Sequence, residues 1–238
     1  KVLNENGITC QRKIAVTPLT EKHKNTRVMF CNQFSAINYA SMPTINFTDE
    51  SSIQQTRERK ICWKKRGEYP SGSTFEKIGR AKTLMVWGGI GKFGFKTELI
   101  RIDGTENSKV YIDFLKDHNI PQSIEKVFGR RYIFQQDNAT PHKAVDSMLE
   151  LYKKFPAILD WPPESPDLSP IENIWNFLKD KLSDEKFSNF DELFQRLKAE
   201  WDAITPEMIH HFYSSFKART IVCARHNGDC LNIYKTEV

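Results

Sequence analysis

One feature constrains the fold more than any other: the chain keeps switching between two hydrophobic periods. Short runs dense in β-branched and aromatic residues give way to longer stretches whose apolar residues recur three and four positions apart. The run Thr44-Ile45-Asn46-Phe47-Thr48-Asp49 reads as a strand. Thr83–Ile90 and Phe95–Ile102 flank the turn Gly91-Lys92-Phe93-Gly94 and read as a hairpin. Arg131–Gln136 and Ala157–Trp161 supply two further strands. Between them, Ser108 caps a predicted helix to Asp117 with Val110, Tyr111, Phe114 and Leu115 on one face. Thr140-Pro141 opens another, to about Phe155, that turns Ala144, Val145, Met148, Leu149 and Tyr152 inward. Past a turn rich in proline, Ser169-Pro170 starts a helix carrying Ile171, Ile174, Trp175, Leu178 and Leu182. Two more helices follow, with Phe190, Leu193, Phe194, Leu197 and Trp201 on the first. The second starts at Thr205-Pro206 and carries Ile209, Phe212 and Phe216. Five strands, joined partly by a hairpin and partly by helical crossovers, imply an α/β fold: a mixed five-stranded sheet with helices on both faces.

The composition agrees with a packed core: 39% of the 238 residues are hydrophobic and 12% aromatic, which excludes a disordered chain. No stretch approaches the ~18 consecutive apolar residues of a membrane helix, and no basic-then-apolar leader opens the sequence. The five cysteines include no Cys-x-x-Cys pair; Cys223 and Cys230, with His226 between them, read either as zinc ligands or as free thiols. Charge is unevenly placed. Six basic and two acidic residues lie within 1–27, and nine basic and three acidic within 52–82, so the remainder is acidic. The 52–82 segment, broken by Gly67, Pro70, Gly72 and Gly79, reads as a basic loop inserted after the first strand. Clustered Lys and Arg of this kind suit either a polyanion or a solvated loop.

Three acidic residues stand where these elements end or begin. Asp49 closes the first strand, Asp137 closes the strand after the hairpin, and Glu172 lies in the first turn of a helix. Adjacent strand ends bring Asp49 and Asp137 together, and paired carboxylates call for a cation between them. Each acid has a structural alternative. Asp49 suits a turn cap and Asp137 an Asx-turn. Ser169-x-x-Glu172 has the form of a capping box, and Asp167 competes as the third acid.

The surrounding residues sharpen the choice. Phe47-Thr-Asp49-Glu-Ser51, Ile133-Phe-Gln-Gln-Asp137-Asn-Ala-Thr-Pro-His142 and Trp161-Pro-Pro-Glu-Ser-Pro-Asp-Leu-Ser-Pro-Ile-Glu172-Asn-Ile-Trp175 closely resemble the three acidic signatures of mariner-superfamily DNA transposases. Thirty-four residues separate Asp137 from Glu172, a spacing that resembles the Asp-Asp-Glu branch of that superfamily. Trp63 to Glu68, Met85-Val-Trp-Gly-Gly89 and Ile102-Asp-Gly104 extend the match, from about residue 7 to near the C-terminus.

The resemblance implies an RNase H-like catalytic domain over 39–238, with C-terminal helices over 188–238. It implies that 1–38 is a connector following helix-turn-helix units absent from this sequence. Asp49, Asp137 and Glu172 become the catalytic residues and the ligands of two Mg²⁺ or Mn²⁺ ions. The implied activity is cut-and-paste transposition: hydrolysis at transposon ends and transfer of the 3′-hydroxyl into target DNA, at TA sites. The partners expected are double-stranded DNA and a second copy of the chain in a synaptic homodimer, in the nucleus and without a membrane. Candidate DNA contacts are Arg12, Lys13, Lys64, Lys65, Arg66, Arg80, Lys82, Asn138 and His142. Two other functions stay open: a domesticated DNA-binding or chromatin protein without catalysis, and an RNase H-like nuclease that cuts without joining.

Overall fold

A computed structural model of the chain describes residues 18–55, 82–104, 108–183 and 185–231. Arg12, Lys13, Lys64, Lys65, Arg66 and Arg80, and with them most of the basic insertion, lie outside the described residues.

The sheet grows from β1 (Ile45–Gln54), which pairs antiparallel with β2 (Thr83–Ile90) and parallel with β4 (Ile133–Gln135); β3 (Ile100–Ile102) pairs antiparallel with β2, giving the order β3-β2-β1-β4. β1 is longer than its β-branched run suggests. Ser51 and Ile53 alternate inward with exposed Ser52 and Gln54 and pair along β2, so Asp49 lies mid-strand opposite Gly88 and does not close the strand. The expected hairpin is interrupted. Between the bridge Ile90↔Lys96 and the pair Trp87↔Ile100, three steps on β2 face four on the partner, and the Gly89 amide donates to the Thr97 hydroxyl at 2.8 Å.

The expected fifth strand, Ala157–Trp161, is reduced to one parallel bridge, Phe134↔Ile158, so the sheet has four strands among the described residues. Pro156 before it and Pro162-Pro163 after it lack the amide hydrogens a longer ladder needs.

Helices cover both faces. On one side α1 (Glu21–Ser35), α6 (Ile171–Lys181), α7 (Phe190–Ala203) and α8 (Pro206–Arg225) bury Phe30, Trp175, Leu197 and Phe216 against Phe47 and Val86 of the sheet. Three of these starts have a clear physical cause: Thr20, Asn189 and Thr205 accept the amides of His23, Glu192 and Met208. Phe30, Cys31 and Phe34 place the last part of the 1–38 segment inside the same core as the sheet.

On the other face α2 (Ser108–Asp117), α3 (Ile120–Phe128) and α5 (Val145–Lys154) enclose Trp87, Tyr111, Ile124, Phe134 and Leu151. α3 is an addition to the helices expected from the sequence. The single helix expected from Thr140 is two, α4 (Thr140–Lys143) and α5, because Ala144 between them is extended at ψ 140°. That break turns α5 relative to the expected face. Val145, Leu149 and Tyr152 are exposed, and Ser147, Leu151 and Phe155 are buried instead. Val110 of α2 is likewise on the surface. No described helix is long and apolar enough to cross a membrane.

Candidate active site

Strand register brings the first two acids together. β1 and β4 run parallel with Phe47 opposite Gln135, so Asp49 and Asp137, each two residues further on, reach the same level of neighbouring chains. Thr48 Oγ1 locks that level by donating to the Gln135 carbonyl at 2.7 Å. α6 delivers the third. Its buried face, Ile171, Ile174, Trp175 and Leu178, packs on the sheet, and Trp175 Nε1 donates to Asp49 Oδ2 at 3.1 Å. Asp49, Asp137 and Glu172 all line one cleft of about 340 Å³, together with Asn138, Glu164 and Ser165.

The capping-box alternative for Glu172 does not hold. α6 begins at Ile171, no side chain caps it, and the Ser169 amide already donates to the Pro166 carbonyl at 2.9 Å. Asp167 does not compete either. It is 5% exposed and its carboxylate is forked onto Arg27, with Nη1 to Oδ1 at 2.8 Å and Nη2 to Oδ2 at 2.6 Å. Asp137 does form a local turn, accepting the Ala139 amide at 2.9 Å, and it still faces the cleft.

The electrostatics of the cluster are unbalanced. Burial, followed by the charges of Glu172, Glu50 and Asp137, pushes Asp49 well above the usual carboxylate range. Burial also raises Glu172, with Asp137 adding to it, although Lys179 and Arg219 act against the rise. Burial pushes Asp137 up too, but His142 and the Ala139 amide more than offset that and hold it below the usual range. Such a cluster fits a divalent cation: its donors are hard carboxylate oxygens, and neutralising their mutual repulsion restores the ionised forms.

His142, a candidate DNA contact, is 1% exposed; its Nδ1 lies 2.6 Å from Asp137 Oδ1 and its ring packs 4.0 Å from that of Tyr111. His142 is thus enclosed between Asp137 and Tyr111, with its ring held against the second acid. Glu50, His142 and Asp137 also present ligand-type atoms within 4.8 Å of one another. Asn138 donates to the Trp161 carbonyl at 2.9 Å while lining the cleft, and Lys82 is exposed at the head of β2.

Helical spacing marks Trp175 as a core residue and carries no sign that its indole N–H reaches an acid. The ring stacks on Trp201 at 5.5 Å, and Gly88 makes the space: a Cβ there would lie 2.8 Å from the Trp201 ring. Cys223, His226 and Cys230, one reading of which is a zinc site, form no metal-ligating group among the described residues; both cysteines are free thiols.

A mixed α/β sheet that collects carboxylates from two neighbouring strands and a helix defines the class of acidic-cleft folds suited to metal-assisted phosphodiester chemistry. Residues 44–194 match the family model of DDE superfamily endonucleases, and the chain belongs to that family. It is 27% identical over 232 residues to the transposable element Tcb2 transposase of Caenorhabditis briggsae, covering 94% of this chain and 83% of that one. The transposable element Tc1 transposase of Caenorhabditis elegans is 26% identical over 233 residues, at 95% and 84% coverage. Among solved structures, a pre-cleavage Mos1 transpososome aligns with a TM-score of 0.82 at 19% identity, over 97% of this chain and 70% of that chain. The catalytic domain of Mos1 mariner transposase aligns at 0.70 and 18% identity, over 92% and 100%.

Proposed function

We propose that this chain is the catalytic part of a cut-and-paste DNA transposase. It cleaves phosphodiesters at transposon ends and joins the freed 3′-hydroxyl to target DNA, at TA sites. The observation that carries this reading is the convergence of Asp49, Asp137 and Glu172 on one cleft, with Asp49 held above its ordinary range by burial and by the other acids.

Asp49, Asp137 and Glu172 would hold two Mg²⁺ or Mn²⁺ ions, which when bound supply charge neutralisation at the phosphate and a more acidic water. The protein contributes position. Trp175 fixes one oxygen of Asp49 and His142 one oxygen of Asp137, which orients both carboxylates. Burial and the neighbouring acids raise Asp49 above an ordinary carboxylate, and a bound cation would favour its ionised form. Asn138 and the wall at Glu164–Ser165 would border the path of the DNA strand, and exposed Lys82 would contact phosphate without base preference. Cutting two ends together calls for a homodimer, and the substrate places the protein in the nucleus.

The test is Mn²⁺-dependent nicking of supercoiled plasmid, together with joining of a pre-cut 3′-hydroxyl oligonucleotide. Wild-type protein yields nicked and joined products, and Asp137→Ala loses both by about 10³-fold or more while keeping its fold. Undiminished activity in Asp137→Ala would refute the assignment; nicking without joining would instead indicate a nuclease.

A further inference from the structure

Arg27 is fully enclosed, and its guanidinium reaches two segments far from it in the sequence, 164–167 and 228–229. Nε donates to the Gly228 carbonyl at 2.8 Å and Nη2 to that of Asp229 at 3.3 Å, beyond the end of α8. Nη1 donates to the Glu164 carbonyl at 3.1 Å and to Ser165 Oγ at 2.7 Å, and the fork closes on Asp167. Asp167 is held from other sides as well: Oδ2 accepts the Leu231 amide and its carbonyl accepts Arg219 Nη1, each at 2.8 Å.

The segment gripped in this way is one wall of the catalytic cleft. Glu164, Ser165, Pro166 and Ser169 line it, and α6 with Glu172 follows directly. Glu164 adopts a left-handed φ of +49°, a conformation that persists in a residue with a side chain only where surrounding contacts impose it, and Arg27 Nη1 is such a contact. A buried ion pair contributes little net stability relative to a well-packed apolar pair, whereas a guanidinium fork fixes geometry closely.

We propose that the Arg27–Asp167 pair is a positioning device for the reaction, setting the 163–169 wall and thereby Glu172 against Asp49 and Asp137. This rests on the transposase reading of the same cleft. It also ties α1, the described helix nearest the N-terminus, to the chemistry: Arg27 couples the position of that helix to the geometry of the third acid.

The experiment compares the full chain with Arg27→Lys, Asp167→Asn and the double variant Arg27→Met/Asp167→Leu. The measurements are thermal midpoint, Mn²⁺ affinity by calorimetry, and kcat and KM for plasmid nicking. The double variant removes both charges together and strands no buried ion, so it is expected to fold, with a lowered midpoint because the Glu164, Gly228 and Asp229 carbonyls and the Leu231 amide lose their partners. Its Mn²⁺ affinity should fall by about 10- to 100-fold, with kcat falling comparably and KM for DNA unchanged. Arg27→Lys keeps the charge without the fork and should fall between. If the double variant does not fold, Asp167→Asn, which keeps the side-chain shape, decides by the same readouts. A folded variant lacking the pair, with Mn²⁺ affinity and kcat within about two-fold of wild type, would overturn the proposal. Wild-type protein that binds no Mn²⁺ would overturn the transposase reading instead.

Discussion

Asp167 and Glu172 are five residues apart and meet opposite electrostatic surroundings. Asp167 receives a forked guanidinium and a backbone amide, so its charge is matched inside the protein. Glu172 and Asp49 share a cleft with Asp137, and burial with neighbouring like charge pushes both upward, while the neutral Trp175 indole is the side chain that donates to Asp49. One region is complete without any visitor; in the other, burial and neighbouring carboxylates outweigh the cations near Glu172, Lys179 and Arg219, and prevail most of all at Asp49, while His142 offsets them at Asp137. The contrast shows how a functional acid is told from a structural one: by whether the charge around it balances its own, since both sit beside the same loop.

Breaking the matched region should have the largest effect. Arg27→Met alone strands the Asp167 carboxylate and is expected to lower unfolding free energy by about 3–5 kcal/mol in urea. A loss below about 1 kcal/mol would show that water already screens the pair.

A smaller change sharpens the other side. Trp175→Phe keeps the ring stacked on Trp201 but removes the donor to Asp49, and calorimetry should find Mn²⁺ affinity reduced by about 10-fold. Unchanged affinity would mean the indole does not orient the carboxylate.

The smallest effect has the opposite sign. Asp49→Asn relieves like-charge repulsion and should stabilise the cation-free protein by about 1 kcal/mol. Because the folded-state pKa of Asp49 is raised, its contribution to cation-free stability falls as pH rises from the unfolded value, about 3.9, up to the raised folded value, and is level beyond it. The Asp49→Asn variant has no carboxyl to titrate at this position and loses that slope, which urea melts across the acid range would show. An unaltered slope would exclude Asp49 as its source.

Much of this is legible in the chain. The three acids stand in motifs whose resemblance to the mariner superfamily implies one cleft, and capping residues such as Thr205-Pro206 mark helix starts that the structure reproduces. What escapes depends on tertiary neighbours. A single extended residue, Ala144, redirects the face of α5, and no local pattern announces it. Prolines beside 157–161 shorten a strand that composition favours. Asp49 reads as a strand end because Glu50, Ser51 and Ser52 are polar, yet pairing with β2 carries the strand on to Gln54. Arg27 does leave a trace: it stands three, four and seven positions before Phe30, Cys31 and Phe34, which puts a cation on the apolar face of α1. Only the fold shows Asp167 opposite it.

The proposed chemistry requires that Asp49, Asp137 and Glu172 share one cation site. The most direct measurement is the anomalous scattering of a crystal soaked in Mn²⁺. Manganese density is expected in the cleft with all three carboxylates as ligands. Density bounded by Glu50, His142 and Asp137, leaving Asp49 and Glu172 without metal, would contradict it.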